Sequence, residues 1–148
     1  METIFQLSSL LVMPFWLLII FLPHWQWTKR IMASPWVVAP AALLYTLLVV
    51  PSLVSLLPQL ANPQLGAIAA LLGTPAGATI AWVHFLAFDL FTGRWAYLDS
   101  RQRGTSAWIV SPVLFLILMV GPLGLLLYLF VRLLPARTSQ PVPVITTL

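Results

Sequence analysis

The chain has 148 residues, 61% of them hydrophobic and only 7% charged, where a soluble domain carries about 25% charged residues; it reads as one integral membrane domain. It contains no cysteine, which excludes disulfides, thiolate metal sites, iron–sulfur ligation and cysteine nucleophiles. The net charge of +4 is scattered through loops, so a nucleic-acid partner is not expected.

Residues 5–22 carry no charge and as a helix measure about 27 Å, close to the roughly 30 Å hydrocarbon core. They predict a first membrane helix. Glu2 stands where a secretory signal carries basic residues, and no small-residue cleavage site follows, so a cleaved signal is not expected. Ser34 followed by Pro35 fits an N-cap with proline at the first helical position and opens a second helix over 35–57, kinked at Pro40 and Pro51. Asn62 before Pro63 repeats the signal, but Gly73 stops the segment after a stretch too short to span; residues 63–72 predict an interfacial or re-entrant helix.

Thr74 before Pro75 opens a third spanning helix over 75–91, with Gly93 as its expected end. Ser111 before Pro112 opens a fourth over 112–134, stopping ahead of Pro135. In its middle lies the run Gly121, Pro122, Leu123, Gly124, where proline frees a carbonyl and the glycines let another helix approach. Residues 135–148 form a polar, proline-bearing tail expected to be disordered or to lie along the surface. The fold class is therefore an all-α membrane protein of four transmembrane helices plus one short interfacial or re-entrant helix between the second and third.

Four crossings would put Lys29, Arg30, Arg94, Arg101 and Arg103 on one side and Arg132 and Arg137 on the other. The positive-inside rule then places both termini on the non-cytoplasmic side. Trp25, Trp27, Trp36, Trp95 and Trp108 fall near the basic side, as an aromatic belt does.

Asp89 is the acidic residue expected within the bilayer, where it costs about 2.5–3.5 kcal/mol on insertion scales. Two readings account for it. It pairs with Arg94 around Gly93 as a helix-end staple, or it is a proton donor, acceptor or ligand anchor in a dry cavity. His84 lies about 10 Å deeper than the expected helix end, either hydrogen-bonded to a carbonyl as a neutral imidazole or taking part in chemistry. Five residues at roughly 100° each set His84 and Asp89 about 140° apart, so one pocket serves both only if it wraps around the helix or other helices complete it. Phe88 shares the His84 side, and Trp82 and Phe85 share the Asp89 side. His24 and His84 sit at different depths, which argues against haem, and two histidines with three acids give too few ligands for a metal site. No cofactor is expected.

The segments Ala81–Arg101, Ser111–Arg132 and Met13–Ile31 together resemble the neoxanthin-synthesis family of membrane proteins, named for abscisic-acid deficiency in plants. The resemblance covers most of residues 10–133 and rests on Trp82, His84, Asp89, Gly93, Arg94 and Trp95, followed by Gly121, Pro122 and Gly124. It implies isomerisation of an epoxy-carotenoid to an allenic one, with no electron carrier, in a thylakoid or plasma membrane. The missing transit extension points to a bacterial, cyanobacterial member, with the substrate then open. Such chemistry needs an acid at the epoxide oxygen and a base at the adjacent polyene carbon, in a water-poor slot. Our own assignment gives these roles to Asp89 and His84, with Arg94 orienting Asp89, and gives substrate contact to Trp82, Phe85, Phe88, Trp95, Gly121 and Pro122. Membrane lipid and a carotenoid or isoprenoid ligand are the expected partners. The competing reading is a protein that binds pigment or lipid, or helps to assemble a photosynthetic membrane complex, without catalysis; a small carrier would need more polar groups than the chain offers.

Overall fold

Hydrocarbon offers the backbone no hydrogen-bonding solvent, which leaves helices as the economical solution for a chain this apolar. The computed structural model describes residues 1–135, and every regular element among them is helical. Four helical stretches are long and apolar enough to cross a membrane: Glu2–Phe21 (α1), Pro35–Ala61, Pro75–Gln102 (α6) and Ala107–Val131 (α7). The second consists of a 3₁₀ turn Pro35–Val38, α3 (Ala39–Val49), a 3₁₀ turn Val50–Ser52 and α4 (Leu53–Ala61). Two short helices, α2 (Gln26–Ala33) and α5 (Leu65–Leu72), lie between the long ones.

Two of the cap signals operate as the local chemistry dictates. The Ser34 side chain accepts from the Trp36 N–H at 3.3 Å, and that of Thr74 accepts from the Gly77 N–H at 3.0 Å. Others are overridden. Asn62 caps nothing, since α5 begins at Leu65 behind Gln64, and Pro58 lies inside α4. Ser111 and Pro112 sit within α7, which opens four residues earlier behind Ser106. Residues 26–33, expected as loop, form α2 because Thr28 and Met32, one turn apart, are both buried while Trp27, Lys29 and Arg30 face outward.

The third spanning helix does not end at Gly93. It continues to Gln102, because Gly93 faces α1 and provides the flat floor on which the fully buried Trp16 ring rests. A glycine in a membrane helix here marks close approach rather than a stop. α1 and α6 run parallel: Ser9 meets Trp82 near one end, and Pro23 accepts a hydrogen bond from the Tyr97 hydroxyl (2.8 Å) near the other.

The expected continuous helix over 112–134 is replaced by two arms. At Val120 (φ −142°, ψ 45°) and Gly121 (φ 2°, ψ −79°) the backbone leaves the helix, and residues 122–131 return alongside residues 107–119. The packing of Gly124 proves the reversal: a Cβ there would collide with backbone atoms of Leu116 and Ile117, whereas residues seven apart in a straight helix are about 10 Å apart along the axis. The turn lies against Asp89. From that point both α6 and the second arm climb together, and Tyr128 and Arg132 meet Asp99. Arg132 is therefore at the same end of the molecule as Arg101 and Arg103, not at the opposite end as four uninterrupted crossings required. The tail 136–148 lies outside the described residues.

Gly124→Ala is expected to lower the stability of the detergent-purified protein by about 1–3 kcal/mol, because the obstacle is backbone and cannot swing aside. Gly66→Ala, with open space around the site, is the control that does not lower it. Thermal unfolding of both variants checks this.

Candidate functional site

Where the turn of α7 meets α6, a cavity of about 640 Å³ opens between α1, α6 and α7. Its wall combines Trp82, His84, Phe85, Phe88 and Asp89 from α6 with Gly121 and Pro122 from the turn. Ser9, Val12 and Met13 close it from α1. Its outer rim is open, since Phe85, Phe88 and Met119 are each more than half exposed. In a membrane that rim faces lipid.

His84 and Asp89 lie on different faces of α6, yet both line this cavity. The α7 turn makes this possible by bending around the helix to reach Asp89. Gly121 has to be glycine there, because a Cβ would overlap the Asp89 Oδ1 atom. Asp89 is partly buried and, among the described residues, has no ion-pair partner. His84 is held by rings: its centroid is 4.7 Å from Phe88, 5.3 Å from Tyr45 of α3 and 6.1 Å from Phe85. Trp82 is fixed by its Nε1–H, which donates to Ser9 Oγ at 3.0 Å, and by Phe5 with ring centroids 5.2 Å apart.

Two expected members of the site belong elsewhere. Arg94 does not orient Asp89. Its guanidinium donates to the carbonyls of Met32 (2.8 Å), Ala33 (2.9 Å) and Ser34 (3.2 Å), so it caps the C-terminus of α2, where carbonyls lack helical partners and a cation is favoured. Trp95 packs edge-on to Tyr128 at 5.4 Å, beneath the Arg132 guanidinium at 5.5 Å. It fastens the second arm of α7 rather than lining the cavity. Gly121 and Pro122, by contrast, are in the wall.

Sequence reasoning missed three contributors. Ser9 and Met119 carry no recognisable signal before the helices are assembled. The third is the cluster that fixes the cavity from behind: Tyr128 donates to Asp99 Oδ2 at 2.7 Å, and Arg132 binds both carboxylate oxygens at 2.9 and 3.1 Å. Arg103 adds hydrogen bonds to the carbonyls of Arg132 and Leu134. A 33-residue separation between Asp99 and Arg132 hid this pair. Among the described residues no group of three or more histidine, aspartate or glutamate side chains could hold a metal.

Fold and cavity together define an all-helical integral membrane protein with a lateral, aromatic-walled cavity holding one carboxyl and one imidazole. The pattern of the ABA4-like family, ABA DEFICIENT 4-like, matches residues 3–128, and the chain belongs to that family. No curated protein and no solved structure matches it.

Replacing Arg94 by Gln is expected to cost about 1.5–3 kcal/mol of stability, the range for hydrogen bonds to a charged group. Ligand binding per folded molecule stays at the wild-type level, because Arg94 reaches α2 and not the cavity. Unfolding measured alongside pigment co-purification separates this from an orienting role, which would cut binding or turnover in protein that is still folded.

Proposed function

We propose that this protein is a cofactor-independent isomerase of epoxy-carotenoids or closely related isoprenoid lipids, working in a plasma or thylakoid membrane. The observation that carries the reading is the cavity itself: it is open to lipid, mostly apolar, and takes in both His84 and Asp89. Its volume of about 640 Å³ lies within the range of small-molecule sites, enough for an oxygenated ring and the start of a polyene whose remainder stays in lipid. Family membership supports the same substrate class.

In this reading Asp89 in its acid form protonates the epoxide oxygen, and the carbon–oxygen bond breaks to give a hydroxyl. His84 removes the proton from the neighbouring polyene carbon, and the electron pair of that bond completes the cumulated double bond. One proton enters and one leaves, so the product is an isomer. Transfer of the proton from imidazolium to carboxylate resets the pair. The aromatic wall excludes the water that would otherwise open the epoxide to a diol. Asp89→Asn keeps the shape and removes the acid; loss of product by at least about a hundredfold is expected, with insertion and pigment binding intact. Chromatography of pigments from cells supplied with the epoxide checks this, and product at wild-type levels would overturn it.

A second reading, a protein that holds pigment without transforming it, is favoured by the angular separation of His84 and Asp89 on α6 and by the apolar wall. It predicts pigment that co-purifies unchanged with both wild type and Asp89→Asn.

We also infer the orientation. Among the described residues all six basic side chains, Lys29, Arg30, Arg94, Arg101, Arg103 and Arg132, fall at one end, while the opposite end carries Glu2. The positive-inside rule puts that basic end in the cytoplasm. The N-terminus is then outside and Leu134 inside, with α7 entering and leaving from the same side. Because the chain has no cysteine, single cysteines report cleanly: one at Asn62 is labelled by an impermeant maleimide in intact cells, and one at Leu134 is protected until lysis. Labelling of both in intact cells would restore four full crossings.

A further inference from the structure

A second cavity, of about 820 Å³, opens between the C-terminal end of α1 and the first arm of α7. The residues that line it are apolar apart from His24, Ser111 and Trp108. Both cavities are lined by α1 and α7, and the inner one also by α6. On α1, Met13 belongs to the inner cavity and Ile20 to the outer one, seven residues apart and within about 20° on the helix surface. On the first arm of α7, Met119 lines the inner cavity and Phe115, one turn away on the same stripe, lines the outer. All of this stripe faces outward: Met119, Phe115 and Trp108 are 56%, 49% and 91% exposed. From Ser9 to Phe21 α1 rises about 18 Å, with His24 just beyond its end, against a hydrocarbon core of roughly 30 Å.

Resting on the isomerase reading for what happens at the inner end, we propose that the two cavities are the two ends of one groove for a single long, linear isoprenoid. Its far oxygenated end is held by Ser111 and His24 at the basic interface. The groove selects for an occupant of this kind. The residues that line it are mostly apolar, and polar ones are found toward its two ends, Asp89 and His84 inside, Ser111 and His24 outside. A branched or compact lipid satisfies one end only. A polyene is stiff, so holding its far end fixes the depth at which the reacting ring meets Asp89. Ser111 and His24 are thus specificity-determining residues for the far end group, and they stand apart from the reacting atoms.

The test uses the full chain in lipid nanodiscs and two probes: an epoxy-carotenoid with a hydroxyl on the far ring, and the same molecule without it. Wild type is expected to bind the hydroxylated probe about tenfold more tightly, as one or two hydrogen bonds allow, and to show the same preference in KM. In the double variant Ser111→Ala with His24→Leu this preference disappears from both binding and KM. Phe115→Trp, which narrows the middle of the groove, weakens both probes equally. Binding is read from the absorbance shift of retained pigment, independently of product. If the double variant keeps the tenfold preference, the outer site is wrong even though product still forms. If wild type shows the preference and the variant loses it but no product forms in either, the isomerase reading fails and the groove stands. If wild type binds both probes equally, or neither, the groove is overturned.

Discussion

An interrupted helix inside hydrocarbon leaves amides and carbonyls with no water to turn to, so such a break persists only where it is buried in protein or lines a cavity. The break at Val120 and Gly121 does both. Its inner side lies on α6 at Asp89, and its outer side forms part of the cavity wall. The Asp89 side of the cavity depends on this turn. Without it α7 would pass Asp89 as a smooth rod, and His84 and Asp89 would look into separate grooves.

Holding the turn in place is a task for the far ends of the two helices. Lipid tails are as apolar as leucine, so burial of leucine supplies little net drive for one helix to fold back on another. Polar contacts and close backbone approach have to do it. Tyr128 and Arg132 converge on Asp99, Arg103 binds the carbonyls just beyond, and Trp95 packs under both Tyr128 and Arg132. This latch is about 15 Å from the turn, ten residues up α6. At the other flank, Arg94 ties α2 to α6 and Trp16 lies on Gly93, which fixes α1 as the third wall. The cavity is thus bounded by a rigid α1–α6 pair and a hairpin whose tip is positioned from its base.

Much of this was legible in the residues. The helical class, the four apolar stretches and the Ser34 and Thr74 caps follow from hydropathy and local chemistry, since each depends on neighbours within a few positions. The cavity members Trp82, His84, Phe85, Phe88 and Asp89 stood out because charge and aromatic rings are conspicuous in an apolar helix. What escaped was whatever depends on a partner distant in the chain. Gly93 reads as a stop until Trp16 is placed over it. Arg94 reads as a partner of Asp89, five residues away, until α2 presents three carbonyls to it. The run from Gly121 to Gly124 reads as a packing surface for another helix, and that is what it is; the other helix is the first half of α7 itself.

That self-packing also changes how the basic residues count. With α7 as a rod, seven basic residues divide five against two, and charge bias alone carries the orientation. With α7 folded back, Arg132 is an ion-pair partner of Asp99 and sits with the other cations, leaving Glu2, among the described residues, as the charge at the opposite end. The same fold-back places Trp108 and Ser111, in the wall of the second cavity, at the basic end together with the latch. Helix anchoring and the cationic rim are therefore concentrated at one end of the described chain, while His84 and Asp89 line the cavity nearer the other end.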